Sequence, residues 1–284
     1  MSRRLLAACA LVVVAVTALA FSPSAAAAGR SREPVLFESD QWYGQSARQV
    51  VTMIRPAGPL ANRRTAVFIH GGAWTGGSRA TWDAEAREWA SRGWVTINME
   101  YRLATLDGRP GDGLEAAGDV LAVYAKYEPL GLTGKLVLVG DSAGGQLATA
   151  VGSQLGRTKV AGIVAWSPIA SPQDMAARAG DPGRTPLQRE LGRKAEEFWS
   201  FDYEAWSAHR YVRARTAPPM YVVGGARESY VAWDEQGRAL CRTSGFRGVC
   251  TAVRSDRHGT NLWGTPEGAK QRIAARSWAE AVTR

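Results

Sequence analysis

The chain has 284 residues, of which 45% are hydrophobic and 21% charged, and its formal net charge is +9. That length is enough to bury one sizeable core, and the arginines are scattered with no run longer than two, a pattern that favours solubility and not nucleic-acid binding. The sequence contains no helix-turn-helix, finger or aromatic platform, and its three histidines and three cysteines have no zinc-ligand spacing, so we expect no nucleic-acid partner, metal or cofactor.

The first predicted element is a signal peptide over residues 1–28. A basic start precedes the apolar run Leu5–Ala20, and Ala26–Ala28 supplies an A-x-A cleavage site. The apolar run is shorter than the roughly 20 residues that cross a bilayer, so it indicates a cleaved signal more than a retained anchor. We therefore expect a secreted protein of bacterial origin, with a mature domain over 29–284 and no stable membrane insertion.

Strand-like and helical segments alternate along the remaining chain, after an early hairpin. Apolar and β-branched runs predict strands at 48–54, 65–69, 94–99, 135–140, 160–166, 219–224 and 249–254. Helix-forming segments lie at 81–92, 113–127, 143–155, 230–243 and 266–282. This alternation predicts an α/β fold in which helices cover both faces of a mostly parallel central sheet. In such a fold, the functional loops lie at the carboxyl ends of the strands.

The first motif is the sequence His-Gly-Gly-Ala-Trp at 70–74, directly after a predicted strand. Glycines let a backbone turn its N–H groups toward a developing oxyanion, and we assign that role to the N–H groups of Gly72 and Ala73. His70 is expected to brace the loop, and Trp74 to wall a substrate pocket. The alternative is a plain glycine turn with a structural histidine.

The second motif is Gly-Asp-Ser-Ala-Gly-Gly at 140–145, between an apolar run and a helix-forming segment. This is the G-x-S-x-G pattern of a nucleophile elbow, a sharp strand-to-helix turn that projects its serine away from the backbone. It predicts Ser142 as the nucleophile and the N–H of Ala143 as a third oxyanion donor. A glycine- and serine-rich loop in any α/β protein is the alternative.

These motifs, with Met-Glu-Tyr-Arg-Leu at 99–103, Pro-Pro-Met-Tyr-Val-Val-Gly-Gly at 218–225 and His-Gly at 258–259, resemble α/β-hydrolases of the H-G-G esterase group. That group includes hormone-sensitive-lipase-like and arylformamidase-like carboxylesterases. The resemblance implies a serine hydrolase that cleaves small-molecule esters through a covalent acyl-enzyme, and the predicted signal peptide implies that it is secreted. Alternatives are an arylformamidase- or peptidase-like amide hydrolase and a non-catalytic binding protein. The chain departs from a strict H-G-G-G loop at Ala73, and its oligomeric state does not follow from the sequence.

The resemblance also implies a triad in the chain order serine, acid, histidine. His258 follows the strand-like run 249–253 and is therefore expected to be the base. Glu228 lies in the loop after 219–225 and is expected to be the acid that orients the imidazole. Asp256 and Asp174 are the alternatives for the acid.

Two further expectations concern the second half of the chain. Residues 171–216 break the alternation with prolines and aromatic side chains, which favours a small cap whose Trp199 and Trp206 line the substrate pocket; an ordinary surface insertion is the alternative. Cys241 and Cys250 are the cysteines that remain after signal cleavage. In an exported chain they are expected to form a disulfide.

Overall fold

A mixed eight-stranded sheet forms the centre of the computed structural model, which describes residues 36–59, 63–104, 115–131, 136–177, 207–212 and 216–284. Its strands are β1 Leu36–Trp42, β2 Val50–Pro56, β3 Thr65–Ile69, β4 Val95–Met99, β5 Leu136–Asp141, β6 Gly162–Trp166, β7 Met220–Gly225 and β8 Gly248–Val253. They lie in the order β1-β2-β4-β3-β5-β6-β7-β8. The β1/β2 and β2/β4 pairs are antiparallel and the other pairs are parallel, which confirms the predicted mostly parallel sheet.

Helices cover both faces of this sheet. The α-helices of the described residues are α1 Asp83–Ser91, α2 Glu115–Tyr127, α3 Ser142–Leu155, α4 Pro172–Ala177, α5 Ala208–Val212, α6 Gly237–Cys241 and α7 Pro266–Val282. Short 3₁₀ helices occupy Arg79–Trp82, Glu128–Leu130 and Gly259–Gly264. The longest helix, α7, starts with a proline after Thr265, whose hydroxyl accepts the N–H of Gly268 at 2.9 Å, so local sequence defines its beginning.

Alternate side chains of each central strand enter different hydrophobic clusters. Val67 and Leu138 point into the cluster that contains α2 and α3, whereas Phe68 and Val139 point into the cluster that contains α1 and α7. This period of two is what a pleated strand imposes. Because both faces are covered, β3, β5, β6 and β7 are mostly apolar, whereas β4 also contains the buried polar residues Thr96 and Asn98.

One predicted helix is much shorter than the sequence indicates. The segment 230–243 forms a helix only over Gly237–Cys241. At its predicted start, the N–H of Val231 donates instead to the Glu228 carboxylate at 3.0 Å. The prediction was therefore wrong for the first turns of this helix, since the backbone there holds a side chain of the preceding loop.

The topology brings four loops to one edge of the sheet. Parallel pairing aligns Ile69 of β3 with Gly140 of β5, and Gly225 of β7 with Val253 of β8. The segments that follow these strands carry the predicted oxyanion loop, nucleophile, acid and base. Among the described residues, no helix combines the length and the apolar character needed to cross a bilayer.

Candidate active site

Ser142 lies at a strained strand-to-helix turn. It follows β5 directly, begins α3 and has a φ angle of 54°, a left-handed conformation that costs an L-residue about 1–2 kcal/mol. The flanking glycines make this turn possible. A Cβ on Gly140 would lie 2.3 Å from the carbonyl oxygen of Gly144, and one on Gly144 would lie 2.1 Å from that of Ile69. Close packing of α3 against β5 and β3 thus holds the serine in place.

Glu228 and His258 are paired through the imidazole Nδ1 and the carboxylate Oε1. The Glu228 side chain is 1% exposed, and its other oxygen, Oε2, accepts the hydroxyl of Ser167 at 2.8 Å. Within the part of the chain that the structure describes, the buried Nε2 of His258 has no hydrogen-bond partner. With the Nδ1 proton donated to the carboxylate, Nε2 carries the lone pair and can accept a proton.

A cavity of about 300 Å³ brings the predicted groups together. Ser142 and His258 both line it, and so do Gly72 and Ala73 of the oxyanion loop. The ring of Tyr230 forms part of the wall and meets the His258 ring edge-on, with ring centroids 5.2 Å apart. The nucleophile, the base and the backbone of the glycine-rich loop therefore face one space large enough for a small molecule.

The oxyanion loop runs through three consecutive left-handed residues. The φ angles of Gly72, Ala73 and Trp74 are 119°, 52° and 59°. The Gly72 carbonyl accepts the N–H of Gly76 at 2.9 Å, which closes the turn. Among the described residues, the N–H groups of Gly72 and Ala73 donate to no other group, so both are available to a ligand. Ala143 is in the first turn of α3, where backbone N–H groups have no partner inside the helix.

His70 supports this loop from outside the cavity. Its side chain is fully buried, its ring stacks on Tyr101 with centroids 4.2 Å apart, and its Nδ1 lies 2.6 Å from the carbonyl oxygen of Gly71. Its Nε2 lies 3.4 Å from the Glu100 carboxylate, which also pairs with Arg48. These contacts belong to a residue that braces the loop and not to one that reacts with substrate.

Asp141 occupies the variable position of the G-x-S-x-G motif and connects three loops of the site. Its Oδ1 accepts the N–H of Gly71 at 3.0 Å. A Cβ on Gly259 would lie 2.8 Å from its Oδ2, so the histidine loop also contacts this carboxylate closely. Burial raises the pKa of Asp141, although the Gly71 hydrogen bond and the nearby His258 and His70 act in the opposite direction. A polar side chain at the end of an apolar strand was the signal for this residue.

Ser167 is a second residue that the sequence did not indicate. It follows β6 with a φ angle of 42°, donates its hydroxyl to Glu228 and accepts the N–H of Gly259 at 3.1 Å. One hydroxyl group therefore links the acid to the loop that carries the base. A serine after a buried strand is too common to be noticed without the fold.

Other predicted residues lie elsewhere. Trp74 is 1% exposed, belongs to the core, and is not among the residues that line the 300 Å³ cavity; its indole N–H donates to Gln146 at 3.1 Å. We therefore place it behind the loop and not in the pocket wall. Trp199 and Trp206 lie outside the described residues, as does most of the predicted cap.

Among the described residues, neither alternative acid pairs with His258, whose carboxylate partner is Glu228. Asp256 is exposed, and Asp174 lines a separate polar cavity between α4, α5 and the end of α6. Cys241 and Cys250 are positioned as a pair, with Cα atoms 6.2 Å apart. Over the described residues, no group of three or more His, Cys, Asp or Glu side chains could hold a metal ion.

Comparisons with known proteins agree with this architecture. The sequence profile of a family described as alpha/beta hydrolase fold matches residues 66–259. Esterase LipC of Mycobacterium tuberculosis is 28% identical over 220 residues, which cover 70% of this chain and 52% of LipC, so the chain spans about half the length of that relative.

Solved esterase structures share the fold at low sequence identity. Esterase B from Lactobacillus Rhamnosis superposes with a TM-score of 0.69 at 19% identity, covering 89% of this chain and 87% of that one. A propionate-bound esterase, Est2 of Thermogutta terrifontis, superposes with a TM-score of 0.66 at 19% identity, covering 86% and 94%. Each superposition covers more than four fifths of this chain.

Proposed function

Because the chain belongs to the alpha/beta hydrolase fold family, we propose that it is a secreted serine esterase that hydrolyses small carboxylic esters. The observation that carries this proposal is the shared cavity, in which Ser142 at its strained turn faces the same space as His258 and the oxyanion loop. The pairing of His258 with a buried Glu228 supports it further. The named esterases of similar sequence or fold point to the same chemistry.

The first half of the reaction forms an acyl-enzyme. The Oγ of Ser142 attacks the ester carbonyl carbon while Nε2 of His258 takes the hydroxyl proton. Negative charge develops on the former carbonyl oxygen, and the N–H groups of Gly72, Ala73 and Ala143 donate to it. The tetrahedral intermediate then collapses, the bond to the alkoxy oxygen breaks, and His258 passes its proton to the leaving alcohol.

Water completes the cycle by the same route. His258 removes a proton from a water molecule, the hydroxide attacks the acyl carbon, and Ser142 leaves as the alcohol after regaining a proton. Throughout both halves Glu228 stays ionised, keeps Nδ1 protonated and stabilises the imidazolium. Its 1% exposure keeps water from weakening that interaction.

The size of the cavity favours short acyl groups. About 300 Å³ is at the low end of the range for small-molecule pockets, and glycine and alanine backbone forms much of the wall. A series of p-nitrophenyl esters with acyl chains of two to sixteen carbons tests this preference. We expect kcat/KM to be highest for two to four carbons. N-formylkynurenine and an aminoacyl anilide belong in the same series, because faster turnover of either one would favour an amide hydrolase instead.

A fluorophosphonate probe tests the nucleophile directly. We expect one adduct per chain on the folded protein, located on Ser142 by peptide mass spectrometry, and none on the Ser142→Ala variant. The variant should lose activity by a factor on the order of 10⁴ or more while it unfolds at the wild-type temperature. Ser153→Ala is the matched control, since Ser153 is a buried serine farther along the same helix α3. A folded wild-type protein that forms no adduct would refute the esterase proposal.

We also propose that the protein is exported and that Cys241 and Cys250 form a disulfide in the exported chain. We expect the secreted protein to begin at Gly29, after removal of residues 1–28, which N-terminal sequencing of the culture medium would test. The 6.2 Å separation of the Cα atoms of Cys241 and Cys250 supports a disulfide in that oxidising environment. Denatured, unreduced protein should then contain no free thiol. Two thiols per chain in the secreted protein would contradict the disulfide.

A further inference from the structure

The oxyanion loop of this chain adopts a conformation that its own residues do not favour. Ala73 and Trp74 are consecutive non-glycine residues in the left-handed region, with φ angles of 52° and 59°. Glycine adopts such angles without steric cost, but alanine and tryptophan do not. Ala73 also carries one of the N–H groups assigned to the oxyanion hole. Something outside the loop must therefore hold this backbone in place.

Trp74 anchors the oxyanion loop through two hydrogen bonds. Its side chain is 1% exposed and its indole N–H donates to Oε1 of Gln146 at 3.1 Å. Its carbonyl oxygen accepts the N–H of Ala104 at 2.9 Å, so both the side chain and the backbone of this residue are fixed. The residue next to Ala73 therefore cannot rotate without breaking a buried hydrogen bond, which is costly in an apolar environment.

Gln146 connects the Trp74 side chain to α3, the helix that begins at Ser142. It is 3% exposed and lies on α3 four residues after Ser142, one helical turn along the same rigid element. The indole–amide hydrogen bond thus joins the helix that carries the nucleophile to the loop that carries two oxyanion donors. A small shift of either group relative to the other would move the donors off the oxyanion, where catalysis depends strongly on distance.

We propose that Trp74 and Gln146 form a positioning pair that fixes the Ala73 N–H relative to Ser142, offsetting the absence of glycine at position 73. The inference rests on the proposed esterase function. Neither side chain lines the cavity, so the pair acts through the loop and not on substrate. The loss of the pair should therefore lower kcat, which depends on oxyanion stabilisation in the transition state, and leave KM nearly unchanged.

Trp74→Phe is the primary test, because phenylalanine keeps an aromatic ring in the core but cannot donate the hydrogen bond. With p-nitrophenyl acetate, we expect kcat to fall about tenfold or more and KM to change less than twofold. Trp89→Phe is the matched control. Trp89 is likewise 1% exposed and donates its indole N–H to a side chain, Glu85, at 2.7 Å, but it lies in the other hydrophobic cluster. The Trp89→Phe variant should unfold at a lower temperature than the wild type but keep the wild-type kcat.

Two further variants separate positioning from simple loss of stability. Gln146→Met removes the acceptor together with the other contacts of Gln146, and combined with Trp74→Phe it should cost no more kcat than Gln146→Met alone, since both changes remove the same indole–amide hydrogen bond. Ala73→Gly relieves the backbone strain, so Trp74→Phe with Ala73→Gly should regain most of the lost kcat. Assays well below each unfolding temperature keep global stability from contributing.

The outcomes distinguish the two proposals. If the wild-type protein neither hydrolyses the ester nor reacts with the fluorophosphonate, the esterase proposal falls and this inference falls with it. If the wild-type protein is active but Trp74→Phe keeps its kcat, or loses no more than Trp89→Phe, the positioning pair alone is refuted. Additive losses for Trp74→Phe and Gln146→Met, or no rescue by Ala73→Gly, would also overturn it.

Discussion

The proposed acid–base pair and the proposed oxyanion loop are held in place by different means. Glu228 and His258 are fixed by hydrogen bonds that converge on one buried carboxylate, from the Ser167 hydroxyl, the Val231 backbone N–H and the imidazole itself. The oxyanion loop is fixed by a strained backbone with anchors behind it. Catalysis should depend mainly on the charge of the Glu228 carboxylate in the first region and on the backbone geometry of the loop in the second. Substitutions that remove charge should therefore affect the chemical step more than substitutions that loosen the loop.

The largest effect is expected for Glu228→Gln. The amide has the shape of the carboxylate but lacks the charge that stabilises the imidazolium, and it can present its NH₂ group to Nδ1 and so favour the wrong tautomer. We expect kcat to fall by a factor on the order of 10³–10⁴ with KM nearly unchanged. Asp256→Asn and Asp174→Asn serve as controls and should stay within about twofold of wild type. A crippled Asp174→Asn variant beside an active Glu228→Gln variant would move the acid to the loop after β6.

A smaller loss is expected for Ser167→Ala. This change leaves the carboxylate charged but removes the hydroxyl that donates to Glu228 and accepts from Gly259. A hydrogen bond to a charged group contributes roughly 1.5–3 kcal/mol, so kcat should fall about ten- to a hundredfold. Ser255→Ala is a control in the loop that carries His258, since its hydroxyl accepts the Arg257 N–H and, among the described residues, makes no hydrogen bond to Ser142, Glu228 or His258. Equal kcat values for the two variants would argue against a role for Ser167 in orienting the acid.

Two carboxylates, Glu100 and Asp141, flank the proposed oxyanion loop, and their pKa values are shifted in opposite directions. The pH dependence of the unfolding free energy tests both shifts. Burial raises the pKa of Glu100, but hydrogen bonds from His70 and Arg79 and the charges of His70 and Arg48 outweigh it, so the net pKa is lowered. A lowered pKa in the folded state contributes stability above the ordinary glutamate pKa that is lost as pH falls. Glu100→Gln should therefore lose most stability at neutral pH, with a deficit that shrinks on acidification in urea unfolding experiments.

The smallest effect is expected for Asp141→Asn, and its change in unfolding free energy with pH should have the opposite sign to that of Glu100→Gln. Burial raises the pKa of Asp141, so the folded state favours its protonated form, and the stability it contributes is lost as pH rises above the ordinary aspartate value. The asparagine variant does not titrate here and can still accept the Gly71 N–H. Its unfolding free energy relative to wild type should therefore increase from pH 4 to pH 8. A difference that stays constant over this range would contradict the raised pKa.

Much of this molecule could be predicted because its signals are local. The strands β3 to β8 are short apolar runs, and the turn at 140–145 needs glycines where α3 approaches β5 and β3 closely. The residues that the sequence assigned to nucleophile, acid and base follow β5, β7 and β8, and parallel pairing places those loops at one edge.

The contacts between loops could not be predicted, because they depend on distances that no sequence interval encodes. Ser167 and Glu228 are 61 residues apart, and Trp74 and Gln146 are 72 residues apart. The position of Trp74 beside a glycine-rich loop predicted a pocket wall, but its indole N–H donates to the buried Gln146 and its side chain does not line the cavity. The strand β1 was missed for another reason, since it is a mostly exposed edge strand with polar side chains and shows no apolar run.

The position of β8 at the end of the sheet has a consequence for biosynthesis. Within the described residues it is the last strand and pairs with β7 alone, and His258 follows it by five residues. The preceding strands of the described residues can assemble while the final segment is still in the ribosome, but the proposed base reaches its proposed acid only when this parallel pairing forms. Long-range parallel pairing of this kind is slow. Hydrolytic activity should therefore report completion of folding, and a nascent or C-terminally clipped chain should be inert toward the esters around it.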